Sequence, residues 1–148
     1  MCAHENRNPI LLDQRLDSSL ESVDQSEETI VTLALAAGFE EEETYRLGYA
    51  VREAMVNAVV HGNRYSANKT VLFRVTRIEQ GLEVVIEDQG AGFVVEGQSD
   101  PRCAENLMNQ SGRGLTLIRA FTDSLVIEPA QPSGTRVILR KLIPLAEK

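Results

Sequence analysis

The sequence predicts an α+β fold, a two-layer sandwich of a mixed, mostly antiparallel sheet with helices on one face. Two patterns of apolar spacing and one of punctuation predict it. Between Leu20 and Val60 apolar side chains recur every three or four positions, the period of helices buried along one side. Val71 to Ile86 and Thr135 to Leu142 alternate between two faces, the period of strands covered on one side. Gly38, Gly62, Gly81 and Gly134 fall between these stretches, where helix ends and turns use glycine.

Met1 to Asn8 is polar and reads as a loose tail, so residues 1–9 are expected to precede a single domain over residues 10–148. Ile10 to Leu16 predicts a short strand. Ser18, with Glu21 three residues on, has the pattern of a capping box. Leu20, Val23, Ile30, Leu33, Ala34 and Ala37 then mark a helix that Gly38 ends. A second helix starts near Glu41, where Glu40 to Glu43 suit the positive end of the helix dipole, and stops at Gly62-Asn63. After the polar connector Ser66 to Lys69, Val71, Phe73 and Val75 define one strand face. Glu79-Gln80-Gly81 predicts a turn, and Leu82, Val84 and Ile86 a second strand, together an antiparallel hairpin. Val94 to Ser111 is irregular, a length of loop that is usually functional or disordered. Gly112-Arg113-Gly114 opens a helix carrying Leu115, Leu117, Ile118 and Phe121. A closing hairpin follows, Ser124 to Glu128 and Thr135 to Leu142.

Composition narrows the function classes. The 148 residues are 43% hydrophobic but only 5% aromatic, so aliphatic side chains must fill the core. A formal net charge of −7 argues against direct nucleic-acid binding, which uses a basic surface. No apolar run is long enough to span a bilayer, and Met1 to Ile10 lacks the apolar stretch of a signal peptide. Cys2 and Cys103 are too few for a disulfide scaffold. A reducing, cytoplasmic location without membrane contact is the expectation.

Three groups of residues carry chemistry. Glu53, Asn57 and His61 recur every fourth position on the second helix, beside a stripe of Ala50, Ala54 and Ala58. A carboxylate and an amide one turn apart can hold a hard cation and activate a hydroxyl. On the helix alone, an ordinary polar face accounts for the file equally well. Asp88 has the parity of Leu82, Val84 and Ile86, so its carboxylate is expected to point to the apolar side, where a charge is costly unless hydrogen-bonded. Gly90 and Gly92 follow it and allow close approach of backbone to a ligand. Gly112 and Gly114 precede a helix whose free amides suit an anion. A carboxylate for an exocyclic amine, an amide for Mg²⁺ and helix amides for phosphates describe a purine nucleoside triphosphate site. Neither a Walker P-loop nor a Rossmann fingerprint occurs.

These runs resemble the boxes of the GHKL ATPase superfamily. Glu53-Ala54-Met55-Val56-Asn57-Ala58-Val59-Val60-His61-Gly62 is similar to the N box. Asp88-Gln89-Gly90-Ala91-Gly92-Phe93 is similar to the G1 box, and Gly112-Arg113-Gly114-Leu115 to the G2 box. Gly134-Thr135 resembles the late Gly-Thr whose hydroxyl supports the adenine-binding Asp. The N-box ending and the Leu-x-Leu-Ile-Arg-Ala-Phe-x-Asp tail after the G2 box most resemble the bacterial anti-sigma-factor serine/threonine kinases. The resemblance runs from about Ile10 to Leu142 and implies the GHKL ATP-binding fold. It implies ATP and Mg²⁺ as cofactors and Glu53 as general base. It implies Asn57 as the Mg²⁺ ligand, Asp88 as the adenine contact, and Gly90 and Gly92 as pocket formers. Gly112, Arg113, Gly114 and Leu115 are implied at the phosphates, and Thr135 behind Asp88. It further implies a STAS-domain antagonist as phosphoacceptor, an RNA polymerase sigma factor as sequestered partner, and a homodimer. No phosphoacceptor-histidine domain accompanies the boxes, so the acceptor is expected to be another protein. A non-catalytic nucleotide-binding module, or a switch-kinase activator of the same pathway, are the alternative readings. His61 fits helix-end packing as well as a site role, and Arg52 a solvent-facing salt bridge.

Overall fold

The structure, a computed structural model, describes residues 8–90 and 114–144. Strand β1 (Ile10–Asp17) leads into helices α1 (Leu20–Ala37) and α2 (Glu41–Val56), and α2 runs on without a break into a π turn, Asn57–Gly62. Strands β2 (Thr70–Ile78) and β3 (Gly81–Glu87) follow. Helix α3 (Gly114–Phe121) and strands β4 (Ser124–Pro129) and β5 (Thr135–Leu142) complete the described chain. The sheet order is β1-β2-β3-β5-β4.

Every pairing among these strands is antiparallel, so the expected mixed sheet is corrected to a wholly antiparallel one among the described residues. The reason lies in α1 and α2. A single crossover helix would return the chain to the starting end of the sheet and set the next strand parallel. Here two helices fold back on each other. Arg52, late in α2, pairs with Asp24 and Glu27, early in α1, at 2.7 and 2.9 Å. The chain therefore re-enters beside the end of β1, and β2 runs the opposite way.

One face of the sheet forms the core. Val71, Phe73, Val75, Leu82, Val84 and Leu139 are fully buried against Ile30, Leu47, Val51, Met55 and Val59 of the helices. The other face carries ion pairs such as Arg136–Glu87 and Arg140–Glu83, at 2.9 and 2.8 Å. Partly exposed pairs of this kind contribute little to stability.

The start of α1 differs from the expectation by one residue. Ser19, not Ser18, is the N-cap, and its Oγ accepts from the amide of Ser22. Ser18 instead donates its hydroxyl to the Lys69 carbonyl at 2.6 Å, which ties the end of β1 to the entry of β2. Leu20, placed on the apolar face from spacing, is exposed. Gly38 does end α1, with φ of 108° and its N–H directed to Ala34 and Leu35.

Leu47 is wholly buried on α2, the helix that also carries Glu53 and runs on into Asn57. Leu47→Ala is expected to destabilise the chain by about 2–5 kcal/mol, read from urea unfolding. A loss well below 1 kcal/mol would contradict this packing.

Candidate functional site

The site begins where β3 ends. The pleat sends Asp88 to the helix side, and only 6% of the residue remains exposed. Its Oδ1 accepts from the amides of Gly90 and Thr135, at 2.9 and 3.2 Å, while its own amide donates to the Thr135 carbonyl at 3.0 Å. Support from Thr135 therefore comes through its amide; the expected hydroxyl bond to Asp88 is absent from the described structure. Burial pushes the Asp88 carboxyl above the usual carboxylate range, and neighbouring Glu87 pushes the same way. The two amides and Lys69 oppose the shift without cancelling it.

Two glycines, Gly62 and Gly134, press on Asp88, and a third, Gly90, presses on Gly62. A Cβ on Gly62 would stand 2.5 Å from Asp88 Cγ and 2.9 Å from Oδ1. A Cβ on Gly134 would strike the Asp88 carbonyl, and one on Gly90 would strike the carbonyl of Gly62. The end of α2, the residues after β3 and the start of β5 thus meet backbone to backbone.

At the start of the π turn that continues α2, Asn57 is 7% exposed, and neither polar atom of its amide has a hydrogen-bond partner among the described residues. An orphaned buried amide is costly and calls for an explanation. Asn57 opens the π turn that ends at Gly62, which places it one wide turn from the Asp88 cradle. Its Oδ1 is a hard oxygen suited to Mg²⁺. No group of three or more His, Cys, Asp or Glu among the described residues could hold a metal alone. An Mg²⁺ site shared between one protein oxygen and phosphates fits that pattern. Glu53, one turn earlier, is half-buried on the same side of the helix. Its neighbour Arg52 is engaged with Asp24 and Glu27, as a salt-bridge role predicts.

Helix α3 packs against α2 and begins at Gly114. Leu115 is 5% exposed and its side chain belongs to the core, so a contact with phosphate falls to its backbone. Gly92, Gly112 and Arg113 lie outside the described residues. His61 sits in the π turn, partly exposed.

Asn63, which the sequence predicts as a helix stop, also fastens the candidate site. It is 1% exposed. Its amide nitrogen donates to Ser18 Oγ and the Thr70 carbonyl at 2.9 and 3.0 Å, and its Oδ1 accepts from the Gln89 amide at 2.8 Å. Gln89 Oε1 in turn accepts from the Thr70 amide at 2.7 Å. The backbone beside Asp88 is thereby fastened to α2, β1 and β2. An asparagine just after a helix glycine was the available signal.

A buried acceptor, a buried amide and a helix start make up the candidate site on an antiparallel α+β sandwich. Residues 16–141 match the histidine kinase-like ATPase domain family, and the chain belongs to it. ATP binding and the GHKL fold come with that membership. Among curated relatives, the anti-sigma F factor of Geobacillus thermodenitrificans is 28% identical over 136 residues, covering 88% of this chain and 92% of that protein. The anti-sigma F factor of Priestia megaterium is 30% identical over 103 residues, covering 68% and 70%. That of Clostridium perfringens is 29% identical over 102 residues, covering 68% and 73%. No helix among the described residues is long and apolar enough to cross a membrane.

The raised Asp88 pKa has a consequence with a definite sign. As pH rises past the ordinary carboxylate range, the unfolded chain loses this proton before the native one, so stability falls until the native value is passed. Asn at this position keeps an oxygen for both amides and removes the charge. Asp88→Asn is expected to raise the melting temperature of the nucleotide-free protein at neutral pH. The gain should vanish as pH falls below the ordinary carboxylate range. The same change is expected to weaken ATP binding at least about tenfold. A stability difference independent of pH, measured by calorimetry, would contradict the buried charge.

Proposed function

We propose that the chain is an ATP-dependent serine/threonine protein kinase acting as an anti-sigma factor. It transfers phosphate to a STAS-domain antagonist and sequesters an RNA polymerase sigma factor. One observation carries the catalytic part. Glu53, late in α2, and Asn57, unpartnered among the described residues, lie one turn apart, and the same helical run ends at Gly62 against the Asp88 carboxylate. Relatives named anti-sigma F factor, matching across most of the chain, support the regulatory part.

In this reading Asp88 accepts from the adenine amino group, and the amides at the start of α3 meet the phosphates. Asn57 Oδ1 would hold Mg²⁺, which when bound neutralises charge on the β- and γ-phosphates. Glu53 takes the proton of the acceptor hydroxyl as its oxygen bonds to the γ-phosphorus, and the bond to the β-γ bridging oxygen breaks to release ADP. Positioning and charge stabilisation supply most of the rate. Gly92, Gly112 and Arg113 belong to the same proposal as pocket and phosphate residues. A homodimer in the cytoplasm, where sigma factors act, completes it.

Two outcomes test the assignment. Glu53→Ala is expected to lower phosphoryl transfer to a STAS-domain acceptor by about 10²–10⁴ while ATP affinity holds. Transfer at the unaltered rate would remove Glu53 from the mechanism, and a parent protein that binds ATP without transferring phosphate would be a binding module. Asn57→Leu fills nearly the same space without the orphaned amide, so the nucleotide-free protein should melt higher. Titration calorimetry of that variant should show ATP affinity no longer strengthened by Mg²⁺; a retained Mg²⁺ effect would sink the metal role.

A further inference from the structure

We infer that Gly62 is a positioning residue for nucleobase recognition, holding open the space in which the Asp88 carboxylate meets an exocyclic amine. The inference rests on Asp88 as the nucleobase contact and adds a residue on a different element that decides whether that contact can form.

Backbone conformation does not explain a glycine here. Among the described glycines, Gly38 and Gly134 have positive φ, and Gly62 does not. It closes a helical turn, where alanine is ordinarily favoured over glycine. Space explains it. An ideal Cβ on Gly62 would meet three atoms of one group, Asp88 Oδ2, Cγ and Oδ1, all inside van der Waals contact. Oδ1 is held by the amides of Gly90 and Thr135. Oδ2, which accepts no hydrogen bond among the described residues, is the atom nearest that Cβ and the one left to receive a ligand.

The carboxylate has little room to yield. Gly134 packs against the Asp88 backbone, Gly90 packs against the Gly62 carbonyl, and Asn63 holds the Gln89 amide. A methyl group at residue 62 must therefore turn the carboxylate away from its two amides or push α2 off β3. Either movement displaces Oδ2. Neither changes Glu53 or Asn57 chemically, so the expected defect is in reading the base.

The test compares ATP with inosine triphosphate, which carries a carbonyl where ATP carries the amino group. In Gly62→Ala, calorimetry is expected to show ATP affinity lowered about tenfold or more while inosine triphosphate affinity shifts far less, because the lost bond is specific to the amine. An equal loss for both nucleotides, or no loss for either, overturns the inference. Thermal melting gives a second measure. Gly62→Ala should lower the melting temperature of the parent but not of an Asp88→Ala background, where the opposing carboxylate is gone. Should Gly62→Ala fail to fold, recovery of folding in Asp88→Ala, Gly62→Ala supports the inference, and continued failure overturns it. If Asp88→Asn leaves ATP binding intact, the nucleobase reading itself fails. If Asp88→Asn weakens ATP and Gly62→Ala does not, only the role of Gly62 fails.

Discussion

A carboxylate buried at the end of a strand is the constraint around which this chain is arranged. Left alone, Asp88 would be a liability in the interior. Two backbone amides, from Gly90 and Thr135, hold one of its oxygens. Three glycines bring α2, β3 and β5 close enough to surround it. The arrangement does not fully relieve the charge, and its carboxyl remains above the usual range. A structure built only for stability would place an apolar side chain there. Persistence of a buried, partly satisfied acceptor is the pattern expected of a group kept for a ligand.

Asn57, one wide turn before Gly62, has the same character. Its amide is buried and unpartnered among the described residues. A nucleotide, which the histidine kinase-like ATPase domain family binds, is the occupant we propose for both features. The base would satisfy the carboxylate, and the phosphates with their cation would satisfy the amide. The rest of the fold keeps these groups in register. The antiparallel pair α1 and α2 is clamped by Arg52, and Asn63 fastens the residue after Asp88 to three other elements.

Much of this was legible in the sequence, for reasons that can be located. The pleat has period two, so the parity of Leu82, Val84 and Ile86 was enough to send Asp88 inward. Local turn chemistry placed the end of α1 at Gly38 and the β2–β3 turn at Gln80. What stayed hidden depended on distant partners. Ser18 and Ser19 are chemically equivalent caps until Lys69 claims one of them. Sheet direction followed from α1 folding back on α2, which spacing along one helix does not encode. The π turn was invisible because apolar spacing continues through it. Gly62 and Asn63 read as a helix stop, since their meaning comes from Asp88 and Gln89, more than twenty positions away.

The central claim is that Asp88 and Asn57 face one nucleotide. It is tested most directly by NMR of protein carrying ¹³C in its aspartate carboxyl groups and ¹⁵N in its asparagine side chains. Adding ATP with Mg²⁺ should move the Asp88 carboxyl and Asn57 amide resonances together, along one saturation curve. Resonances that stay in place while ATP binds, or that saturate at different concentrations, would contradict a shared site.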